Sequence, residues 1–177
     1  MTDTTRNRLV GWVVGMAVLM PHAAHAAADA PRTAADGPRR IVVSIPDRKL
    51  AVIAADESVV SVFPIAVGAP ATPSPTGTFT VVNRIPNPTY YKPGTVIEPG
   101  ANNPLGTRWI GLSEKGYGIH GTDAPGSVGF AKSHGCIRLR NRDIERLFEL
   151  VRPGDLVELH AERTPEIARL FGSSSSH

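Results

Sequence analysis

The sequence predicts a mostly β domain, sandwich- or barrel-like, with one clear helix after its single cysteine. Two observations carry this. Short β-branched runs recur between residues 39 and 160, broken at short intervals by Gly, Pro, Asn and Asp. Only the stretch from Asn141 places apolar residues clearly at helical spacing: Ile144, Leu147, Phe148 and Val151 stand at i, i+3, i+4 and i+7.

The elements follow in order. Residues 1–26 read as a signal peptide. Arg6 and Arg8 precede an apolar stretch from Leu9 to Met20, about 12 residues, which suits a signal h-region and falls short of the roughly 20 that span a bilayer. Ala24-His25-Ala26 and Ala26-Ala27-Ala28 both fit a small-residue cleavage pattern, so cleavage as late as residue 28 is allowed. Export to a periplasm or cell envelope is therefore expected, with no stable membrane span after cleavage. Residues 27–38 are rich in Ala, Pro and charge and read as a linker.

The domain proper is expected at 39–160. Its strands are Ile41–Ile45, Leu50–Ile53, Val59–Phe63, Ile65–Val67, Thr78–Val82, Arg108–Leu112, Tyr117–His120 and Leu156–Leu159, a spacing expected of an antiparallel series. Pro70, Pro73 and Pro75 exclude a central strand between them, because proline lacks the ladder donor. Asn83 to Gly106 carries Pro86, Pro88, Pro93, Pro99 and Pro104 and reads as a long loop, with Tyr90 and Tyr91 favouring an ordered lid. Asn141 is placed to cap the helix, and Pro153-Gly154 to stop it. Residues 161–177 read as a short helix ending near Phe171 and a frayed tail.

The formal net charge is +3. Loss of residues 1–26 removes Arg6, Arg8 and Asp3, leaving 17 basic and 15 acidic residues. The basic side chains form no stripe or cluster, so nucleic acid is not an expected partner. The remaining chain of about 150 residues suits one domain.

Chemistry concentrates in Lys132-Ser133-His134-Gly135-Cys136-Ile137-Arg138-Leu139 and, upstream, Gly118-Ile119-His120-Gly121-Thr122. An exported chain with one thiol forms no internal disulfide, so Cys136 is either inert or chemically employed. A free thiol is only a few per cent thiolate at neutral pH and needs a base or a positive environment to act. His120 ends one expected strand and Cys136 begins the next segment. Neighbouring strands would bring them together, which favours His120 as the base and His134 as a group that either supports the pair from behind or faces the substrate. Gly135 permits close approach of a substrate carbonyl, and amides near Cys136 are candidates for an oxyanion hole. The Gly121 carbonyl, or else the Asp123 carboxylate, would orient the imidazole. Arg138 would lower the thiol pKa or bind a substrate carboxylate. Read alone, these residues reach an exported cysteine acyl-transfer enzyme. They leave open an inert core cysteine, a zinc site of His120, His134, Cys136 and Asp123, and structural roles for His134 and Arg138. No cofactor or metal is called for by the spacing.

Ile119-His120-Gly121-Thr122, followed by Ser133-His134-Gly135-Cys136-Ile137-Arg138-Leu139, resembles the active-site motif of the L,D-transpeptidase catalytic domain (YkuD) family. Pro75-Thr76-Gly77-Thr78-Phe79 and Asn103-Pro104-Leu105-Gly106 are similar to that family as well. The resemblance covers about residues 40–160. It implies a mostly β catalytic domain whose cysteine lies in a groove beneath a lid, acting on peptidoglycan stem peptides as donor and acceptor. Cys136 would be the nucleophile and His120 the general acid/base, steadied by the Gly121 carbonyl. Ser133, His134, Gly135 and Arg138 would shape the pocket. The resemblance leaves the acceptor open: an amine gives 3→3 cross-links or attachment of a protein to the wall, and water gives an L,D-carboxypeptidase or endopeptidase. A non-catalytic envelope protein is the remaining reading.

Overall fold

The computed structural model describes residues 37–172. The signal-peptide reading, nearly all of the linker and the tail from Ser173 lie outside the described residues.

One curled eight-stranded sheet organises the domain. Its strands are β1 (Arg40–Ser44), β2 (Lys49–Ile53), β3 (Val59–Pro64), β5 (Gly77–Pro86), β8 (Arg108–Leu112), β9 (Gly118–His120), β11 (Ile137–Arg138) and β12 (Leu156–His160), in the order β11-β9-β8-β5-β12-β1-β2-β3. Two small pairs complete it: β4 (Val67–Gly68) with β10 (Ala131–Ser133), and β6 (Tyr90–Lys92) with β7 (Thr95–Ile97). β5 makes the curl. Its first half pairs with β12 and its second with β8, with a register shift between Val81 and Asn83. At the far ends of the order, Ala66 just beyond β3 bridges Arg138 of β11, with N–H···O distances of 2.8 and 3.0 Å in the two directions.

The mostly β architecture agrees with the sequence reading, but the series is not purely antiparallel. β1 runs parallel to β12, β9 to β11 and β4 to β10. Hydrophobic spacing fixes strand identity and says little about partner or direction, which long connections decide. The expected strand Ile65–Val67 shrinks to Val67–Gly68 because Ile65 and Ala66 are spent on bonds to Arg48, Gly129 and Arg138.

Inside the curl, Ile41, Val43, Leu50 and Val52 pack with Ile110, Ile119, Ile137 and Leu139. Helix α1 (Asn141–Leu150) supplies Ile144, Leu147, Phe148 and Leu150 to the same cluster, so its apolar stripe faces as the sequence predicts. The other face of β1 and β2, Val42, Ala51 and Ile53, is covered by Ile167 and Phe171 of helix α2 (Pro165–Phe171). Thr164 caps α2 through its hydroxyl, 3.3 Å from Ile167 N.

Asn141 does not cap α1. The helix begins at that residue, and its side-chain oxygen accepts from Thr107 N at 3.3 Å and Thr122 N at 3.1 Å. The expected loop from Asn83 is also shorter than predicted, because β5 continues to Pro86 before the chain turns into the β6–β7 hairpin. Proline at the last position costs no central ladder bond, so it ended the strand later than its lack of periodicity suggested. No described helix is long and apolar enough to cross a membrane.

Candidate active site

β9 and β11 lie side by side with Ile137 opposite Ile119 and Arg138 opposite His120. Cys136, immediately before β11, is thereby brought to the start of β9. Its Sγ lies 3.7 Å from the carbonyl oxygen of Gly116. The neighbouring-strand arrangement read from the sequence is the one the fold adopts.

His120 is only 4% exposed. Its Nδ1 lies 2.6 Å from the Gly121 carbonyl oxygen, which accepts the ring proton and leaves Nε2 as the unprotonated nitrogen of the neutral imidazole. Asp123 is exposed and is not the orienter. Trp109, opposite His120 in the β8–β9 register, stacks on the ring with centroids 5.6 Å apart and planes 22° from parallel. Gly118 makes room for that indole: a Cβ there would stand 2.5 Å from Trp109. Burial, helped by the positive charge of Arg138, lowers the His120 pKa to about 4 against the opposing Gly121 bond.

The thiol is shifted the other way. Burial raises the Cys136 pKa, while a backbone hydrogen bond from Gly118 and the charge of Arg138 pull it down without prevailing. Arg138 thus has the sign the sequence suggested, but desolvation wins. At neutral pH the pair is thiol and imidazole, not thiolate and imidazolium.

The turn holding the thiol is tightly fixed. Ser133 Oγ donates to the Cys136 carbonyl at 2.5 Å and accepts from Gly135 N at 3.1 Å. Gly135 sits at φ 110°, and a Cβ there would lie 2.7 Å from Tyr117, so glycine is required on both counts. The Gly135 amide is committed to Ser133, so the amide of Cys136 itself is the candidate oxyanion donor. Ser133 is buried in this brace, whereas His134 and Arg138 stand on the wall of a cavity beside the thiol.

Two cavities meet at Cys136. One, about 430 Å³, is lined by Tyr90, Lys92, Pro104, Leu105, His120, His134, Cys136 and Arg138. The other, about 370 Å³, is aromatic and apolar, with Ile85, Pro88, Tyr91 and Trp109 among its walls. Strand β6 of the β6–β7 hairpin lines both, with Tyr90 and Lys92 on the first and Tyr90 and Tyr91 on the second. Asn103, 1% exposed, knots the hairpin's base: Nδ2 lies 2.8 Å from Pro88 O and 3.0 Å from Ile97 O, and Oδ1 accepts from Leu105 N at 2.8 Å. Sequence reasoning gave no role to Trp109, Tyr117, Asn103 or Lys92. The Asn103-Pro104-Leu105-Gly106 stretch was the one signal present. Among the described residues, no group of three or more His, Cys, Asp and Glu could hold a metal ion, so the zinc reading has no geometry behind it.

The family model described as the L,D-transpeptidase catalytic domain (YkuD) matches residues 38–159. The chain belongs to this family. The YkuD protein of Bacillus licheniformis is 42% identical over 122 residues, covering 69% of this chain and 66% of that protein. The YcfS protein of Escherichia coli is 36% identical, covering 70% of this chain and 45% of its own length. A crystal structure of the Enterococcus faecium L,D-transpeptidase C442S mutant superposes with a TM-score of 0.59 at 28% identity, over 70% of this chain and 50% of that one. A Mycobacterium smegmatis L,D-transpeptidase gives 0.58 at 25%, over 70% and 58%. The chain thus spans about half to two thirds of the relatives it matches. What this YkuD domain shares with them is the catalytic unit, and the histidine and cysteine segments both fall within the matched range.

Proposed function

We propose that the protein is an exported cysteine L,D-transpeptidase that cuts and rejoins peptidoglycan stem peptides through a thioester. The observation that carries this is the buried His120, its Nδ1 locked on Gly121 O, sharing one cavity with Cys136. Membership in the L,D-transpeptidase family supplies the substrate class. The composition of residues 1–28 supports export to a periplasm or cell envelope.

The chemistry follows from the neutral pair. As Sγ attacks the carbonyl of the third stem residue, His120 Nε2 takes the thiol proton, so charge develops only in the transition state. The oxyanion is met by the Cys136 amide. The imidazolium then returns its proton to the departing D-alanine amine, leaving a thioester on Cys136. An acceptor amine attacks the thioester, loses its proton to His120, and the thiol is released reprotonated. The second cavity gives the acceptor a separate approach. An amine from another stem yields a 3→3 cross-link, and an amine of a protein attaches that protein to the wall.

The test is incubation with purified disaccharide-tetrapeptide and mass spectrometry, for the wild type and Cys136→Ala. A cross-linked dimer formed only by the wild type is the expected result. Tripeptide without dimer would make the protein an L,D-carboxypeptidase, and no change in either sample would reject stem-peptide chemistry.

The solved structure titled as a carbamoyl enzyme with avibactam, at 27% identity, suggests a second probe. Incubation with a carbapenem or avibactam should add one covalent equivalent to the wild type and nothing to Cys136→Ala. An unchanged intact mass in the wild type would count against an activated thiol.

A further inference from the structure

The larger cavity beside Cys136 is electrostatically one-sided. Lys92 and Arg138 line it with two histidines, and none of its lining residues is acidic. Arg138 reaches Lys132 O only at 3.4 Å, and its buried Nε has no hydrogen-bond partner among the described residues. The Lys92 side chain makes no hydrogen bond or ion pair among the described residues. The adjoining cavity has no charged lining residue. Lys92 is placed by strand alternation: on β6, Tyr90 and Lys92 share the face toward the charged cavity. The hairpin therefore brings an exposed ammonium to the same cavity as the thiol and an incompletely satisfied guanidinium of β11.

We propose that Lys92 is a specificity-determining residue that binds a free carboxylate of the donor stem peptide. It works from the lid, with Arg138 below, and selects carboxylate-bearing stems over amidated ones. The proposal rests on the transpeptidase reading above and adds which cavity receives the donor. A tetrapeptide stem offers three carboxylates: that of the glutamyl residue, that of the diaminopimelate side chain, and the C-terminal one. The cationic pair matches this chemistry, and the uncharged aromatic cavity does not.

The experiment measures kcat/KM for release of the terminal residue, D-alanine or its amide, by the wild type, Lys92→Gln and Lys92→Arg, each with the unmodified tetrapeptide and with three versions amidated at one carboxylate. Lys92→Gln is expected to lower kcat/KM on the order of threefold to fivefold, as for a partly exposed ion pair. Amidating the paired carboxylate should cost the wild type the same factor and cost Lys92→Gln nothing further, identifying which carboxylate is read. Lys92→Arg should retain the preference, and high salt should compress it. An equal loss by Lys92→Gln on all four donors, or no loss on any, overturns the assignment while leaving the transpeptidase reading standing. If the wild type turns over no donor, the transpeptidase reading fails and the assignment falls with it.

Discussion

At the scale of single residues, the site is governed by desolvation. His120 has its pKa lowered from 6.5 to about 4. Between those two pH values the unfolded chain binds a proton that the folded protein refuses, so stability rises with pH across that window. It is fully present above about 6.5 and lost as pH falls through about 4. The size of the effect is on the order of 3 kcal/mol. Urea denaturation at a series of pH values should show this slope, and His120→Gln should flatten it. An unchanged slope in the variant would mean that other groups carry the acid sensitivity. Catalysis should track the same proton. Because the base must be neutral, the acid limb of kcat/KM is expected near 4 rather than near 6.5, and His120→Gln should cost on the order of 10²–10⁴ in rate. An acid limb near 6.5 would show that the imidazole is solvated in the working enzyme. The meeting of Cys136 and His120 at one cavity was legible in the chain because their types, glycines and spacing are rare together. The electrostatics were not. Arg138 beside the thiol suggested a lowered pKa, and only the folded packing around Cys136 shows that burial outweighs it.

At the scale of elements, the histidine strand, the lid base and α1 are joined by one side chain. Asn141 Oδ1 accepts from Thr122 N beyond β9 and Thr107 N before β8. The room for it comes from Gly106 and Gly121, where a Cβ would lie 2.1 and 2.3 Å from that oxygen. Asn141→Ala should cost about 1–3 kcal/mol for the buried Thr122 amide, with less from the half-buried Thr107. Asn141→Asp keeps an acceptor and should recover most of the loss, as read by denaturation midpoints. Equal losses in both variants would assign the effect to the helix start instead. The sequence placed Asn141 at the helix terminus correctly and misread its task, since a cap and a cross-strand acceptor use the same atom. It likewise placed six of the eight main-sheet strands within one residue, because each is rich in β-branched residues and bounded by turn residues. β5 runs four residues further than expected, and the two-residue β11 was too short to leave a pattern. The lid was harder. Tyr90–Lys92 and Thr95–Ile97 pair with each other alone and leave Tyr91 73% exposed, so no buried face wrote alternation into the sequence.

At the scale of the whole molecule, the first and last strands of the described residues lie side by side. β12 lies parallel to β1, which places the described C-terminal segment over the outer face of β1 and β2. This was not legible in the sequence. A strand of alternating Leu, Val, Glu and Leu declares its faces but not its neighbour, and the nearest partner in sequence was not the one chosen. The consequence is a division of labour between two cores. The inner cluster contains Ile119 of β9 and Ile137 of β11, the sequence neighbours of His120 and Cys136, whereas the outer cluster of Val42, Ala51, Ile53, Ile167 and Phe171 contains no residue of either strand. Ile167 is fully buried, so Ile167→Ala should destabilise the protein by about 2–5 kcal/mol through lost burial and the cavity left behind. Turnover per folded molecule should stay unchanged, because α2 stands away from the cavity lined by Lys92, His120, Cys136 and Arg138. Denaturation and active-site titration on the same preparation separate the two quantities. Lost activity at unchanged stability would show that α2 reaches the site through the β1–β12 seam, and that the two cores act as one.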